Sequence, residues 1–431
     1  MNETERAEDV YLCIDLKSFF ASVECVERGL DPMTTRLVVA DSERGEGTIC
    51  LAVTPAMKAL GVKNRCRVFE IQKSIEYIKA EPRMQKYIDY SARIYGVYLE
   101  FICPDDIHVY SIDEVFIYAS PYLKLYSMTA RELAQSIMKR IYEKTGIRAT
   151  CGIGTNMYLC KVALDIEAKH ALDFIGELDE ERYRKRLWEH TPLTDFWRVG
   201  RATAATLARF GIYTMRGVAK TDPELLYSRF GIDAELLYDH AWGRESTRME
   251  DIKNYKSKSH SLSSGQVLMR DYTRDEARII CTEMTEALCL ELFSEGLVCS
   301  AVALSVLYSD SGTDGARARL EKRTNSEREI VSSMRALYDR LVFGDKIRRI
   351  NISFENVSAD DGVQYTLFDD TEAVEAERAV MSAVVDIKRR FGKNAILKGI
   401  SYTEASNARE RNMQIGGHKS GKKGTFADVK G

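Results

Sequence analysis

Three acids carry the most specific chemistry in this sequence. Asp15 closes the apolar run Val10-Tyr-Leu-Cys-Ile14, and Asp113 and Glu114 stand side by side inside Val109–Ala119, VYSIDEVFIYA. Neighbouring carboxylates among β-branched and aromatic residues repel each other and resist leaving water, so they need a compensating charge. By itself, Ser111-Ile112-Asp113-Glu114 is most simply a solvated hairpin turn. Asp15 changes that balance. An acid that ends an apolar strand just before a helix at Ser18 faces the crevice at a sheet's carboxyl edge. If the two strands are neighbours, three carboxylates converge and divalent cations are the compensation. Mg²⁺ prefers oxygen ligands shared with phosphates and water, and Mn²⁺ is its natural substitute. Two such ions about 3.5–4 Å apart stabilise the attacking and leaving oxygens of an in-line phosphoryl displacement.

The elements that must hold these acids are legible from periodicity. Strands are expected at Val10–Ile14, Leu37–Ala40 and Ala149–Ile153, and helices at Ser18–Arg28 and Thr129–Thr145. Residues 177–243 have a helical period interrupted by glycines. The polar run Arg244–Ser259, RESTRMEDIKNYKSKS, has no apolar period and reads as an exposed linker. Next come a strand (Leu262–Met269), a helix (Arg274–Phe293) and two strands (Ser300–Tyr308, Arg317–Arg323). A helix (Glu327–Phe343) and a strand (Arg348–Phe354) complete a β-α-β-β-α-β order, the pattern of an α+β sandwich. Beyond Ser358 the chain is polar, with an apolar knot, VQYTLFDD, and a helix-like run, Glu372–Phe391. Its last stretch, GGHKSGKKGTFADVKG, is expected to be disordered.

Composition narrows the class. A chain of 431 residues with 45% hydrophobic and 29% charged residues suits a multidomain globular protein. No apolar run reaches the roughly eighteen residues that span a bilayer, and the polar, acidic start MNETERAEDV is unlike a secretory signal. The expectation is a cytoplasmic protein with no membrane partner. The 10 cysteines form no CxxC or zinc-spaced cluster and read as reduced core thiols. A net charge of −3 leaves room for a basic face beside an acidic site.

The motifs IDLKSFFASVE (Ile14–Glu24), SIDE (Ser111–Glu114) and CGIGTNMYLCKVALDIEAK (Cys151–Lys169) occur in an order that resembles the Y-family DNA polymerases. Within that family the chain is most similar to the UmuC-like translesion branch, and the likeness covers most of the sequence. The resemblance implies a right-hand α+β polymerase. Its palm would be residues 1–30 and 80–175, its fingers 31–79 and its helical thumb 176–243. A linker at 244–259, a little finger at 260–357 and a tail at 358–431 complete it.

The implied activity is low-fidelity, template-directed DNA synthesis past damaged bases in DNA repair and the SOS response. Substrates would be dNTPs and primer-template DNA. Asp15, Asp113 and Glu114 would be the catalytic metal ligands, with the Leu16 carbonyl completing a site. Phe20 would be the steric gate against a 2′-hydroxyl. Phe19 would border the nucleotide from a position that also suits a core residue. Lys58 and Lys169 would contact the triphosphate as point charges. Pro55 stands where many relatives have tyrosine, and Lys58 where many have arginine, which puts nucleotide affinity in question.

Two regions suggest a grip on DNA. Val199-Gly200-Arg201 opens a helix that closes on Gly211, similar to a helix-hairpin-helix whose backbone N–H groups hold a phosphate. In RARLEKR, Arg317, Arg319 and Arg323 alternate as one strand face would. Lys256, Lys258, Arg270, Arg348 and Arg349 add charge nearby. In the tail, Gln364, Leu367 and Phe368 of QYTLF resemble the peptide that docks on a sliding clamp. A RecA filament or accessory subunits stay open as further partners. Two rival functions are a non-catalytic DNA- and clamp-binding factor, disfavoured by the intact acids, and a nucleotide cyclase, for which no GGDEF-like signature is present.

Overall fold

The computed structural model describes residues 9–257, 260–362 and 370–421. The chain divides into two compact units, Met1–Tyr255 and Lys256–Gly431. Among the described residues no helix is long and apolar enough to cross a membrane.

The first unit is built on a five-stranded sheet in the order β5-β6-β1-β7-β8. Its central strand, β1 (Tyr11–Leu16), is the apolar run that ends beside the first acid. It enters α1 (Phe19–Val26) through Ser18, whose left-handed backbone (φ 50) turns the chain sharply. A small sheet follows, made of β2 (Leu37–Val39), β3 (Ala52–Val53) and β4 (Ile78–Ala80), with α2 (Pro55–Ala59) after β3. It has its own core, including Val38, Cys50, Val53 and Met57.

The chain returns to the large sheet through α3 (Met84–Tyr98), β5 (Ile107–Val109) and β6 (Glu114–Tyr118). The stretch VYSIDEVFIYA is therefore a tight antiparallel pair, with both acids where the turn meets β6. Next come α4 (Ser120–Tyr126), α5 (Ala130–Thr145), β7 (Ala149–Gly154), α6 (Met157–Val162) and β8 (Ile175–Leu178). A Cβ on Gly152 would lie 1.9 Å from the Cys160 carbonyl oxygen, and one on Gly154 2.3 Å from the Cys160 nitrogen. Only glycines let α6 lie this close to β7. Past α6 the helix widens into a π-helical turn, Ala163–Ala168. Such turns recur where a helix must aim side chains at a site.

Helices α7 (Glu180–Leu187), α8 (Arg201–Ala208), α9 (Met215–Lys220), α10 (Pro223–Phe230) and α11 (Asp233–Trp242) then share a core with Tyr158 and Leu159 of α6. The linker expectation for 244–259 needs correction. Met249–Asn254 form a helix, α12, and Met249 is buried against Tyr11, Cys13 and Phe116. The run looks polar because a single turn-and-a-half helix needs only Met249 and Ile252 as anchors.

The second unit repeats the expected β-α-β-β-α-β order: β9 (Ser261–Tyr272), α13 (Arg274–Ser294), β10 (Leu297–Tyr308), β11 (Gly312–Thr324), α14 (Glu327–Leu341) and β12 (Ile347–Glu355). The strands pair in the order β11-β10-β12-β9, and the helices cover one face. A short β13 (Ser358–Ala359) pairs with the start of β10.

The tail is more ordered than its composition suggests. The helix-like run is α15 (Thr371–Phe391), which buries Met381 in the same core as α13. Arg378 of α15 bonds Asp360 at 3.0 Å and Asn325 at 3.1 Å. Further on, Ser406 donates to buried Glu283 of α13 at 2.6 Å, and Arg411 of α16 (Ala408–Asn412) reaches Gln266 at 3.2 Å. Gln414–Ile415 pair with His418–Lys419 in a hairpin that reaches into the stretch expected to be disordered, whose residues 422–431 lie outside the described ones. Gln364, Leu367 and Phe368 lie outside the described residues.

Candidate active site

Strand pairing brings the acids together. Asp15 and Glu114 are directly opposite on β1 and β6, and Leu16 N–H donates to the Asp113 carbonyl at 2.9 Å. The Ser91 hydroxyl holds the Ile112 carbonyl at 2.6 Å, which ties the turn to α3, and Ser111 bonds the Asp113 carboxylate at 2.7 Å. Burial, followed by the nearby charge of Asp113, pushes Asp15 up to about 7, against the pull of Lys169 and Lys161. Proximity of the acids is thus visible in their electrostatics as well as in the register.

The compensation for Glu114 comes from within the chain. Lys161 of α6 is 7% exposed and places its ammonium 2.8 and 2.9 Å from the two oxygens of Glu114 and 3.1 Å from Asp165. The Cys13 thiol also donates to Glu114, at 3.2 Å. Burial favours neutral Lys161, but Cys13, Asp165 and Glu114 outweigh it and hold the lysine protonated. In turn Lys169 bonds Asp165 at 2.9 Å, so Lys161, Asp165 and Lys169 alternate in sign at helical spacing. Among the described residues no three acids, histidines or cysteines form a ready-made metal cage. What converges is an oxygen-rich edge with one carboxylate held by an ammonium.

Lysines gather beside the acids. Lys58 of α2 is shifted down by burial, and it feels both Asp15 and Lys169. Lys17 is likewise shifted down by burial and by Lys58, and its ammonium sits 4.4 Å from the centre of the Phe174 ring. Three mutually repelling cations near one edge make a site for a polyanion. Lys58 and Lys169 were expected there. Lys17 and Lys161 were not, although Lys161 stands one helical turn from Asp165 in the quoted motif.

The two phenylalanines separate. Phe19 is a core residue at 2% exposure, as its position also suited. Phe20 is only partly buried and stacks on Tyr87.

Of the expected DNA contacts, Gly200 precedes α8 in an extended conformation with no side-chain cap, and Arg201 is exposed. The Val199 side chain belongs to the helical core. In the second unit, Arg317, Arg319 and Arg323 are exposed while Ala316, Ala318 and Leu320 turn to the core. Arg317 and Arg319 lie opposite Ala303 and Ala301, which in turn lie opposite Ser353 and Glu355. The open sheet face is therefore flat, small-residued and basic at one edge. Arg317 also pairs with Glu355 at 2.5 Å. Arg270 departs from expectation: Glu276 binds it at both terminal nitrogens and it stacks on Tyr272. Lys258 lies outside the described residues.

The chain is similar to several known proteins along most of its length. Residues 14–165 match the impB/mucB/samB family and residues 259–367 its C-terminal domain. A Bacillus subtilis protein named for UV-damage repair, UvrX, is 32% identical, covering 95% of this chain and 97% of its own. DNA polymerase IV 2 of the same organism is also 32% identical, over 95% of this chain and 99% of its own. The Halalkalibacterium halodurans DNA polymerase IV 2 is 30% identical with similar coverage. A solved Y-family DNA polymerase chimera superposes with a TM-score of 0.65 at 21% identity, over 81% of this chain and 99% of its own, a likeness of fold. With relatives this similar along nearly their whole length, the chain belongs to the impB/mucB/samB family of Y-family translesion DNA polymerases.

Proposed function

We propose that this chain extends a primer on templates carrying damaged bases, at low fidelity, in the SOS response of the cytoplasm. The observation that carries the reading is the gathering of Asp15, Asp113 and Glu114 at one sheet edge beside Lys17, Lys58 and Lys169. With the Leu16 carbonyl, the three acids are oxygen donors of the kind two Mg²⁺ ions require. Bound there, the ions would stabilise charge on the phosphoryl oxygens as the dNTP passes its nucleotidyl group to the primer 3′-hydroxyl. The protein's own residues prepare this. Lys161 holds Glu114 in place, and because Lys161 also touches Asp165, Glu114 can turn to a ligand without stranding a buried cation. Lys17, Lys58 and Lys169 orient the triphosphate, and Phe20 closes the space that a 2′-hydroxyl needs.

The remaining assignments follow the same reading. Residues 1–30 and 80–175 are the palm, 31–79 the fingers, 176–243 the thumb and 260–357 the little finger. The backbone N–H groups at Val199–Arg201 hold a DNA phosphate, and Arg317, Arg319 and Arg323 track the backbone without reading bases. Gln364, Leu367 and Phe368 dock on a sliding clamp. The test is primer extension on undamaged and abasic templates with Mg²⁺ and dNTPs, comparing the native chain with Asp113→Ala. Extension that the substitution abolishes supports the reading. DNA shifted in a gel by both proteins with extension by neither replaces it with a non-catalytic binding factor.

A further inference from the structure

We propose that Tyr87 is the backstop of the sugar gate, and that Glu24 and Arg83 lock it, so that residues remote from the nucleotide set the discrimination against ribonucleotides. This rests on the reading of Phe20 as the gate. A gate excludes a hydroxyl only as firmly as its ring resists moving. Phe20 is held on two sides: Phe19 tilts against it at 5.7 Å between ring centres, and Tyr87 of α3 stacks flat on it at 4.4 Å and 13°. Phe20 cannot swing away without uncovering the Tyr87 face, and such a pair contributes beyond simple burial.

Tyr87 itself is immobile for a specific reason. It is fully buried, and its hydroxyl donates at 2.9 Å to Glu24, a carboxylate of α1 with no solvent exposure. Arg83 grips the same carboxylate in a fork, Nε at 2.9 Å and Nη2 at 2.8 Å, and Arg28 adds a third donor group. A buried carboxylate is tolerated only when its oxygens are filled in this way. Phe20 and Glu24 are one helical turn apart on α1, so the bracket and the gate share a helix face. A purely apolar filler could support α1 against α3. A hydroxyl aimed at a doubly clamped carboxylate also fixes where the ring stands, as preorganised sites require.

The experiment measures single-nucleotide insertion of a dNTP and the matching rNTP, and takes the ratio of their kcat/KM values. Because both substrates meet the same preparation, any misfolded fraction cancels. Phe20→Ala tests the gate: the ratio should collapse, and if it does not, the gate reading itself falls. Tyr87→Leu should lower the ratio about fivefold while dNTP insertion changes less, and Tyr87→Phe, which keeps the ring and loses the hydroxyl, about twofold. Collapse with Phe20→Ala but an unchanged ratio with Tyr87→Leu overturns the backstop and leaves the gate standing. If Tyr87→Leu does not fold, Tyr87→Phe and Arg83→Lys carry the test, and an unchanged ratio in both rejects the proposal.

Discussion

The acid edge of the first unit and the basic face of the second both collect like charges, and they handle them in opposite ways. Around Glu114 the charge is buried, so each group is braced by a named partner: Lys161, Asp165, the Cys13 thiol. On β11 the arginines stand in water, flanked by alanines and serines, and Arg317 has Glu355 as a partner while Arg319 rests on small neighbours. Removing one partner from a buried set strands the other, whereas solvent and salt take over at an exposed one. The first arrangement suits chemistry at defined atoms. The second suits a sliding polyanion whose sequence is not read.

The comparison can be broken most directly at Asp113. If Asp113 is the metal ligand proposed above, Asp113→Ala should lower primer extension by at least roughly a hundredfold, with little change in thermal stability. A variant with near-native extension would remove the acid edge from the chemistry. Next comes Lys161→Met. It leaves Glu114 buried without its ammonium, so denaturant unfolding should register a loss of about 3 kcal/mol, far more than a surface lysine would cost. An unchanged midpoint would mean that water reaches Glu114 and that the contrast between the two regions is overdrawn.

A second buried pair sharpens the point. Burial would raise Glu245, yet the hydrogen bonds from His240 and from Thr247 prevail and hold it near about 2, below its ordinary 4.5. A carboxylate depressed in the folded state stabilises that state above its ordinary value and loses the contribution as pH falls through the depressed one. Stability should therefore drop by about 2 kcal/mol between roughly pH 4.5 and 2, and Glu245→Gln should flatten that part of the curve. The smallest effect is expected on β11. Arg319→Ala should weaken DNA binding alike on unrelated sequences and reduce the slope of log affinity against log salt by about 1. A sequence-dependent loss would point to base contacts instead.

Much of this was visible in one dimension. The run Val10–Ile14 reads as a strand from its apolar residues alone, and the alternation in Arg317–Arg323 sorts arginines from core residues before any fold is known. Less legible were the segments whose anchors are sparse. Met249 turns a polar linker into a packed helix, and Met381 with Arg378 seats α15 on the second unit.

Local period and residue type were enough for the long elements, the order of the two units and the three acids. Tertiary structure alone decided which charges meet. Lys161, Lys17, Glu24 and Arg270 look alike in sequence, as ordinary charged residues on helix or strand surfaces. Folding buries Lys161 on Glu114, aims Lys17 at the acid edge, clamps Glu24 between Arg83 and Tyr87 and pairs Arg270 with Glu276. The physical reason is that a charge's role depends on its burial and on its partner. Where the partner is distant along the chain, no local pattern encodes either.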